Sequence, residues 1–375
     1  MSPNPRNNTH HHSDNRGTVT LPTSNRKLFL FSVLAIIVAG LFAFFTRDPA
    51  VVSPFRRVLR WPFSQTVAST SPSRTAATAA QQHSGFRSEK SPIPAASKMK
   101  TPVYFLSHGG PNIMFDVDHP AYRKLGEIGR EITQKVKPRA VVVFSAHWQG
   151  GQDTVHVNTA EITDLIYDFY GFPDHYYKEQ YPNVGSKEVA HKVLDALQGA
   201  GIEAQGVKRG LDHGVWASFK CAFDPDSNPL NVPIVQASLF NTEDPLQHYK
   251  LGQAVARLRE ENILIIVSGM AVHNLRDLRF TFGDPRPMPY AVSFDEALKE
   301  AATTAPAERE KAMAQLLKRP DARQAHPSFD HLLPMHIGAG AAGEDLGKRI
   351  WTFPEGSMSW AQYRFGEIEN AGSSL

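Results

Sequence analysis

The sequence predicts an α/β fold with a central, largely parallel β-sheet that is covered by helices on both faces. The prediction rests on short, continuous apolar runs and on their alternation with helical patterns. Short apolar runs, such as VVVF at 141–144 and ILIIV at 263–267, alternate with stretches of helical periodicity. Continuous apolar runs are typical of strands that are buried on both faces, as in parallel sheets. Because the alternation starts near Pro102, we place one folded domain at residues 99–375.

The elements can be assigned in chain order from periodicity and composition. The strand candidates are PVYFLS (102–107), RAVVVFSAH (139–147), NVPIVQASL (231–239) and NILIIVSG (262–269). The helix candidates, with apolar residues every three or four positions, are residues 119–136, 186–201, 245–261 and 293–305. A strand, a helix and a second strand therefore open the domain, which favours parallel pairing of those strands.

The 98 residues before the domain fall into three segments. Residues 1–27 are polar without apolar periodicity, which predicts a disordered tail, and the Ser-, Ala-, Thr- and Pro-rich residues 46–98 predict a disordered linker. Between them, Leu28–Phe45 is an uncharged apolar run long enough to cross a hydrocarbon core of roughly 30 Å. We expect a protein anchored to a membrane by this single helix, with a soluble C-terminal domain. A buried core helix, a cleaved signal, or a mitochondrial presequence followed by an inner-membrane anchor are the alternatives.

Charge and cysteine content exclude several classes of function. Residues 1–98 carry twelve Lys/Arg and three Asp/Glu, whereas residues 99–375 carry 28 and 34. The domain is therefore mildly acidic, which argues against a nucleic-acid partner. Cys221 is the only cysteine, so an intrachain disulfide and any zinc site with two thiolates are excluded. We expect Cys221 to be a small buried side chain, and any metal to be held by histidines and carboxylates.

Three histidines follow predicted strands. They are His108 in FLSHGG, His147 in VVFSAHW and His273 in VSGMAVHNL. The carboxyl ends of the strands border the ligand crevice of an open α/β sheet, so these imidazoles are expected to converge there. Three imidazoles suit Zn²⁺ or Fe²⁺. His213, in the Gly-flanked RGLDHGVW, is a fourth candidate, and Asp212 beside it is expected to orient a ring or to cap a helix.

Four segments carry a resemblance to a known family. HGGPNIMF, SAHW, LDHGVW and SGMAVHNL, in this order, resemble the signature segments of class III extradiol ring-cleavage dioxygenases. The resemblance is to the LigB-like branch that contains DOPA 4,5-dioxygenase, and it runs from about residue 102 to 365. HPSFDHLLPM also resembles the downstream HPxxEHxxP segment of the family, with Asp330 in place of the usual Glu.

The resemblance implies a LigB-like catalytic domain with one divalent metal per chain, held by His108, His147 and His273. It implies that His213 is an acid/base residue, although some descriptions of this branch count it among the metal ligands. It implies a substrate-pocket or catalytic role for His331. The alternative is that this residue only caps a helix start or is solvated. The wider class has a glutamate where His273 stands here, which leaves both Zn²⁺ and Fe²⁺ open. The expected substrates are a small aromatic diol and O₂, and the expected product is a ring-opened semialdehyde.

Two other functions remain open at this point. A zinc ion with an open coordination position would support hydrolysis instead, and a Memo-like binding protein has the same fold without turnover. The oligomeric state is also open. A set of aromatic side chains is expected either to wall the substrate pocket or only to pack: Phe115, Tyr167, Phe169, Tyr170, Phe172 and Trp216.

Overall fold

The computed structural model describes residues 100–281 and 284–368. The predicted tail (1–27), membrane anchor (28–45) and linker (46–98) lie outside the described residues and stay predictions. Within the described ranges, no helix combines the length and the apolar character needed to cross a membrane.

β-Strands and α-helices alternate along the described residues. The strands are β1 (Val103–Ser107), β2 (Ala140–Gln149), β3 (Thr154–Asn158), β4 (Glu203–Val207), β5 (Ile234–Leu239), β6 (Ile263–Gly269), β7 (Val272–His273), β8 (Gly347–Trp351), β9 (Pro354–Glu355), β10 (Met358–Ser359) and β11 (Gln362–Phe365). The helices are α1 (Pro120–Glu131), α2 (Lys187–Gly199), α3 (His213–Ala222), α4 (Pro245–Val255), α5 (Leu275–Thr281), α6 (Pro289–Thr303), α7 (Pro306–Leu316), α8 (Ala322–Ala325) and α9 (Leu333–Ala342).

The helix starts follow from local capping chemistry. The side chains of His119, Ser186 and Asp244 accept hydrogen bonds from the first free backbone N–H groups of α1, α2 and α4. Such caps satisfy donors that have no partner inside the helix. The fourth predicted helix starts earlier than expected, at Pro289, because proline is well suited to the first turn.

The main sheet has eight strands in the order β4-β3-β5-β2-β6-β1-β11-β8. Its centre consists of the four predicted strands, and β5, β2, β6 and β1 are all parallel to their neighbours in that group. Antiparallel pairs join β3 to β5, β1 to β11 and β11 to β8. The predicted α/β fold with a largely parallel centre is confirmed, and the sheet as a whole is mixed.

Alternate side chains of the central strands pack against helices on opposite faces. Val103 and Phe105 belong to the core beneath α2, α4, α6 and α9, whereas Tyr104 and Leu106 belong to the core beneath α1 and α3. Cys221 is buried in the second core, and burial raises the pKa of its thiol to about 12. Its predicted role as a small core residue fits this setting.

Candidate metal centre and active site

The ends of β1 and β2, the two central strands that flank β6, bring His108 and His147 together. His108 directly follows β1, and its backbone N–H donates to the carbonyl of Gly269 at the end of β6, at 3.0 Å. His147 lies near the end of β2, on the other side of β6. As a result the two Nε2 atoms are 3.2 Å apart. The predicted convergence of these two strand-end histidines is what the structure shows.

The third histidine at this point is His331, which lies in the loop before α9. The backbone N–H of Met270 donates to the His331 carbonyl at 2.9 Å, which fixes this loop to the end of β6. A Cβ at Gly269 would lie only 2.2 Å from the same carbonyl oxygen, so a glycine is required for this close approach. The Nε2 atom of His331 is thereby held 3.2 Å from Nε2 of His147.

His273 lies beside this group and is not part of it. Its ring stacks on the ring of His331, with centroids 3.7 Å apart and an interplanar angle of 13°. The groups of side chains within ligand distance of one another, among the described residues, include His108, His147 and His331 but not His273. The structure therefore places His331, rather than the predicted His273, in the converging group, and the role of His273 as a ligand stays a prediction. The physical reason is that β7 turns away from the main sheet and pairs with β10, opposite Met358.

Each of the three converging rings has its Nδ1 atom against a hydrogen-bond acceptor. His108 Nδ1 is 2.8 Å from the hydroxyl oxygen of Ser268, which itself donates to the carbonyl of Gly214. His331 Nδ1 is 2.9 Å from a carboxylate oxygen of Asp330. His147 Nδ1 is 3.1 Å from a carboxylate oxygen of Asp168. Such partners on one ring nitrogen direct the other nitrogen toward a metal.

The geometry of the Nε2 atoms fits one divalent cation. Where each ring carries its proton on Nδ1, the Nε2 lone pairs face one another 3.2 Å apart, and a divalent cation between them would relieve their repulsion. Two nitrogens that bind the same tetrahedral ion at roughly 2.0–2.1 Å are about 3.3–3.4 Å apart. The observed spacings are close to this value. The predicted histidine-rich metal site therefore has a suitable donor set in His108, His147 and His331.

His213 lies next to this group, on the side of His147. It is the first residue of α3, and its ring centroid is 4.1 Å from that of His147. Both its backbone N–H and its Nδ1 are 2.9 Å from one carboxylate oxygen of Asp168. His213 is not one of the three residues whose Nε2 atoms converge, but it forms a second group of potential ligands with His147 and Asp168, whose ligand atoms lie within 4.8 Å of one another. Its predicted role as a metal ligand stays a prediction.

Sequence reasoning missed Asp168. Asp212, expected to orient a ring or to cap a helix, is the N-cap residue of α3, but its side chain makes no capping hydrogen bond. Asp212 does not orient a histidine ring; its buried carboxylate accepts hydrogen bonds from Ser145 at 2.7 Å and from Arg209 at 3.0 Å. Asp168 takes that role from the aromatic segment YDFYGFP. An acidic residue inside an otherwise aromatic run was the signal that could have revealed it.

The electrostatics favour neutral rings at two of the three converging positions. Burial lowers the pKa of His108 and of His331, and neighbouring imidazoles lower both further. Burial also lowers the pKa of His213, although Asp168 opposes it. His147 differs, because the hydrogen bond to Asp168 and nearby carboxylates outweigh burial and raise its pKa. Burial opposes ionisation of Asp168 in turn, but the hydrogen bonds from both histidines keep its pKa far below the usual range.

An open cleft of about 320 Å³ leads to His147. It is lined by Ala146, His147, Gln149, Glu243, Ser328 and Asp330. On the opposite side of the site, the ring of Phe169 stands edge-on to His213 with centroids 5.6 Å apart. Phe169 is thus the member of the predicted aromatic wall that contacts a site histidine. Trp216 is buried behind it, and Tyr170 is largely exposed.

Comparison with known proteins assigns the family. Residues 102–365 match the family model described as the catalytic LigB subunit of aromatic ring-opening dioxygenase. The chain is 37% identical over 271 residues to the 4,5-DOPA dioxygenase extradiol of Beta vulgaris, covering 70% of this chain and 96% of that one. It is 30% identical over 274 residues to the Escherichia coli K12 protein of the same description, covering 72% and 96%.

A solved structure agrees with the sequence comparisons. The crystal structure of an uncharacterized protein from Escherichia coli K12 matches with a TM-score of 0.58 and 28% sequence identity, covering 71% of this chain and 100% of that one. These matches confirm the predicted fold and enzyme class. The chain therefore belongs to the LigB family of aromatic ring-opening dioxygenases and is an extradiol dioxygenase of that family.

Proposed function

We propose that this enzyme uses O₂ to open the aromatic ring of a DOPA-like catechol at a metal held by His108, His147 and His331. The observation that carries the proposal is the convergence of three Nε2 atoms at spacings of 3.2 Å, each ring being anchored through Nδ1. The substrate class is supported by the relatives from Beta vulgaris and Escherichia coli, both of which are described as 4,5-DOPA dioxygenases.

Fe²⁺ is the proposed active metal. When bound, the metal supplies a Lewis acid for the two catechol oxygens and the redox chemistry that O₂ requires. Zn²⁺ suits a three-histidine site equally well by geometry, but it has no redox chemistry. Metal exchange therefore separates binding from turnover.

His213 is the proposed acid/base residue. Its ring lies beside His147 and is oriented from behind by Asp168. Because burial lowers the pKa of His213, the ring is neutral near pH 7 and can accept the proton of a catechol hydroxyl. The edge-on contact with Phe169 shields this side of the site from water. The acid/base role considered for His331 is not needed, because its Nε2 atom faces the other two ligands.

The cleft beside His147 suits a catechol with a polar side chain. Glu243 and Asp330 contribute carboxylates to its wall, and Gln149 and Ser328 contribute neutral hydrogen-bonding groups. A ring bound beside His147 would extend its side chain toward these groups. Glu243 is already paired with Arg323, so we expect Asp330, Gln149 and Ser328 to bind the ammonium group of a DOPA-like substrate.

Oxygen uptake by metal-exchanged protein tests the proposal. The full-length chain is stripped of metal and reloaded without oxygen with Fe²⁺ or Zn²⁺. It is then mixed with DOPA, with unsubstituted catechol, or with tyrosine as a control that lacks the second hydroxyl. We expect one O₂ to be consumed per DOPA by the Fe²⁺ protein, with both atoms of ¹⁸O₂ found in the product. Tyrosine and the Zn²⁺ protein should give no uptake. Turnover that does not require O₂ would contradict the proposal and favour hydrolysis.

A further inference from the structure

The carboxylate of Asp168 contacts two histidines with different proposed tasks. One oxygen lies 2.9 Å from both the backbone N and the Nδ1 atom of His213, and the other lies 3.1 Å from Nδ1 of His147. The segment that carries Asp168 is held in place by two hydrogen bonds that involve the backbone two residues earlier. Its Ile166 donates to the Leu211 carbonyl at 2.7 Å and accepts from the Trp216 indole at 3.0 Å.

We propose that Asp168 is a positioning residue that sets the tautomers of His147 and His213 together. An ionised carboxylate only accepts hydrogen bonds, so both rings must carry their proton on Nδ1. Both Nε2 atoms then keep a free lone pair, one for the metal and one for a proton from substrate. This inference rests on the proposed function for the two tasks, but the tautomers themselves are a property of the metal-free protein.

An asparagine at this position would separate the two histidines. Its side chain has nearly the same shape, with one acceptor oxygen and one donor NH₂ group. The oxygen should face His213, because two donors, the backbone N–H and Nδ1–H, converge there. The NH₂ group then faces Nδ1 of His147, which has to accept. The proton of His147 is thereby moved to Nε2, where it blocks metal binding.

Asp330→Asn is the matched control. Asp330 anchors the third ligand, because one oxygen lies 2.9 Å from His331 Nδ1 and the other accepts from the Ser328 hydroxyl at 2.6 Å. An asparagine there can keep its oxygen on His331 while its NH₂ group donates to Ser328, since a hydroxyl also accepts. Both variants lose one negative charge beside a proposed ligand, but only Asp168→Asn is expected to change a tautomer.

The experiment records ¹⁵N–¹H spectra of the imidazoles in the metal-free, full-length protein, with single His→Gln variants for assignment. The spectra are recorded at alkaline pH, where both rings are neutral, and in the wild type we expect Nδ1–H on both His147 and His213. In D168N we expect Nε2–H on His147 alone, and in D330N no change at His331. By competition with a chelating dye, D168N should lose about 10–100-fold in metal affinity, and D330N less than about tenfold.

Several results would overturn the inference. An Nε2–H tautomer at His147 or His213 in the wild type would do so even if D168N fails to fold. So would Nδ1–H at His147 in folded D168N, or equal losses of metal affinity in the two variants. If the tautomers behave as expected but the Fe²⁺ protein consumes no O₂ with DOPA, the proposed function fails and the role of Asp168 stands.

Discussion

Gly214→Ala is predicted to damage the metal site without unfolding the protein. Gly214 is the second residue of α3 and packs directly beneath two of the proposed ligands. A Cβ at this position would lie 2.7 Å from His147 Cδ2, 2.7 Å from the Ser145 hydroxyl oxygen and 3.2 Å from His108 Cε1. The substitution therefore adds one methyl group against the rings themselves.

The magnitude follows from these distances. The contact with His147 is about 0.7 Å shorter than ordinary van der Waals contact, which begins at 3.4 Å. Neither neighbour can move freely, because Ser145 donates a hydrogen bond to Asp212 and His147 Nδ1 lies 3.1 Å from a carboxylate oxygen of Asp168. Metal–ligand distances tolerate only about 0.2 Å of change. We expect a loss of metal affinity of about 10–100-fold, comparable to loss of a supporting hydrogen bond.

The cost in stability should be small. Overpacking costs about 1–3 kcal/mol, whereas replacing a helical glycine by alanine returns about 1 kcal/mol. The net change in unfolding free energy of the metal-free protein is therefore roughly 0–2 kcal/mol.

Gly199→Ala is the control, because Gly199 is also helical and a Cβ there meets nothing within 4 Å. Metal affinity is measured by dye competition, and stability by urea unfolding of the metal-free proteins. If G214A binds Fe²⁺ as tightly as G199A does, the packing argument is wrong.

Three further predictions concern histidines. His331→Ala should abolish most metal binding, whereas His273→Ala should reduce metal affinity less than about tenfold, as measured by dye competition; the reverse order would restore the sequence-based ligand set. His213→Ala should retain its metal but turn over DOPA about 10²–10⁴-fold more slowly, and loss of metal as complete as in His331→Ala would make it a ligand. Burial lowers the pKa of both His326 and His336 to about 4, so the unfolded chain binds protons that the folded chain does not between about pH 4 and 6.5. The unfolding free energy of the metal-free protein should therefore decrease as the pH is lowered through this window, by up to about 1.4 kcal/mol per pH unit for each ring. Equal unfolding free energies from urea unfolding at pH 5 and pH 7 would contradict this.

The central strands and two site histidines were predictable because their signals are local. A run such as ILIIV is apolar at every position, which is what burial on both faces requires. His108 and His147 then follow from the rule that strand ends border the crevice. The edge strand β4 (EAQGV) was missed because it is mostly accessible and therefore has no apolar run.

The role of Asp168 depends on contacts that are remote in the sequence. It lies 45 residues before His213 and 21 residues after His147, in a segment without a predicted element. Its position is set by the Trp216 indole and by backbone hydrogen bonds to Leu211. No periodicity or spacing encodes such contacts. The aromatic composition of this segment is compatible with a pocket wall or with packing, and it does not point to a carboxylate between two histidines.

The third ligand shows where the strand-end rule stops applying. His273 is four residues beyond Gly269, and in that interval the chain leaves the main sheet to pair with β10. The end of β6 nevertheless supplies the third ligand indirectly, because its glycine lets the His331 carbonyl approach and Met270 N–H binds it. The strand therefore positions a side chain from a loop 62 residues farther along the chain. His273 then contributes by stacking on His331, whose Nε2 atom faces His147. A histidine near a strand end can thus lie beside the proposed metal site and contact a proposed ligand by ring stacking.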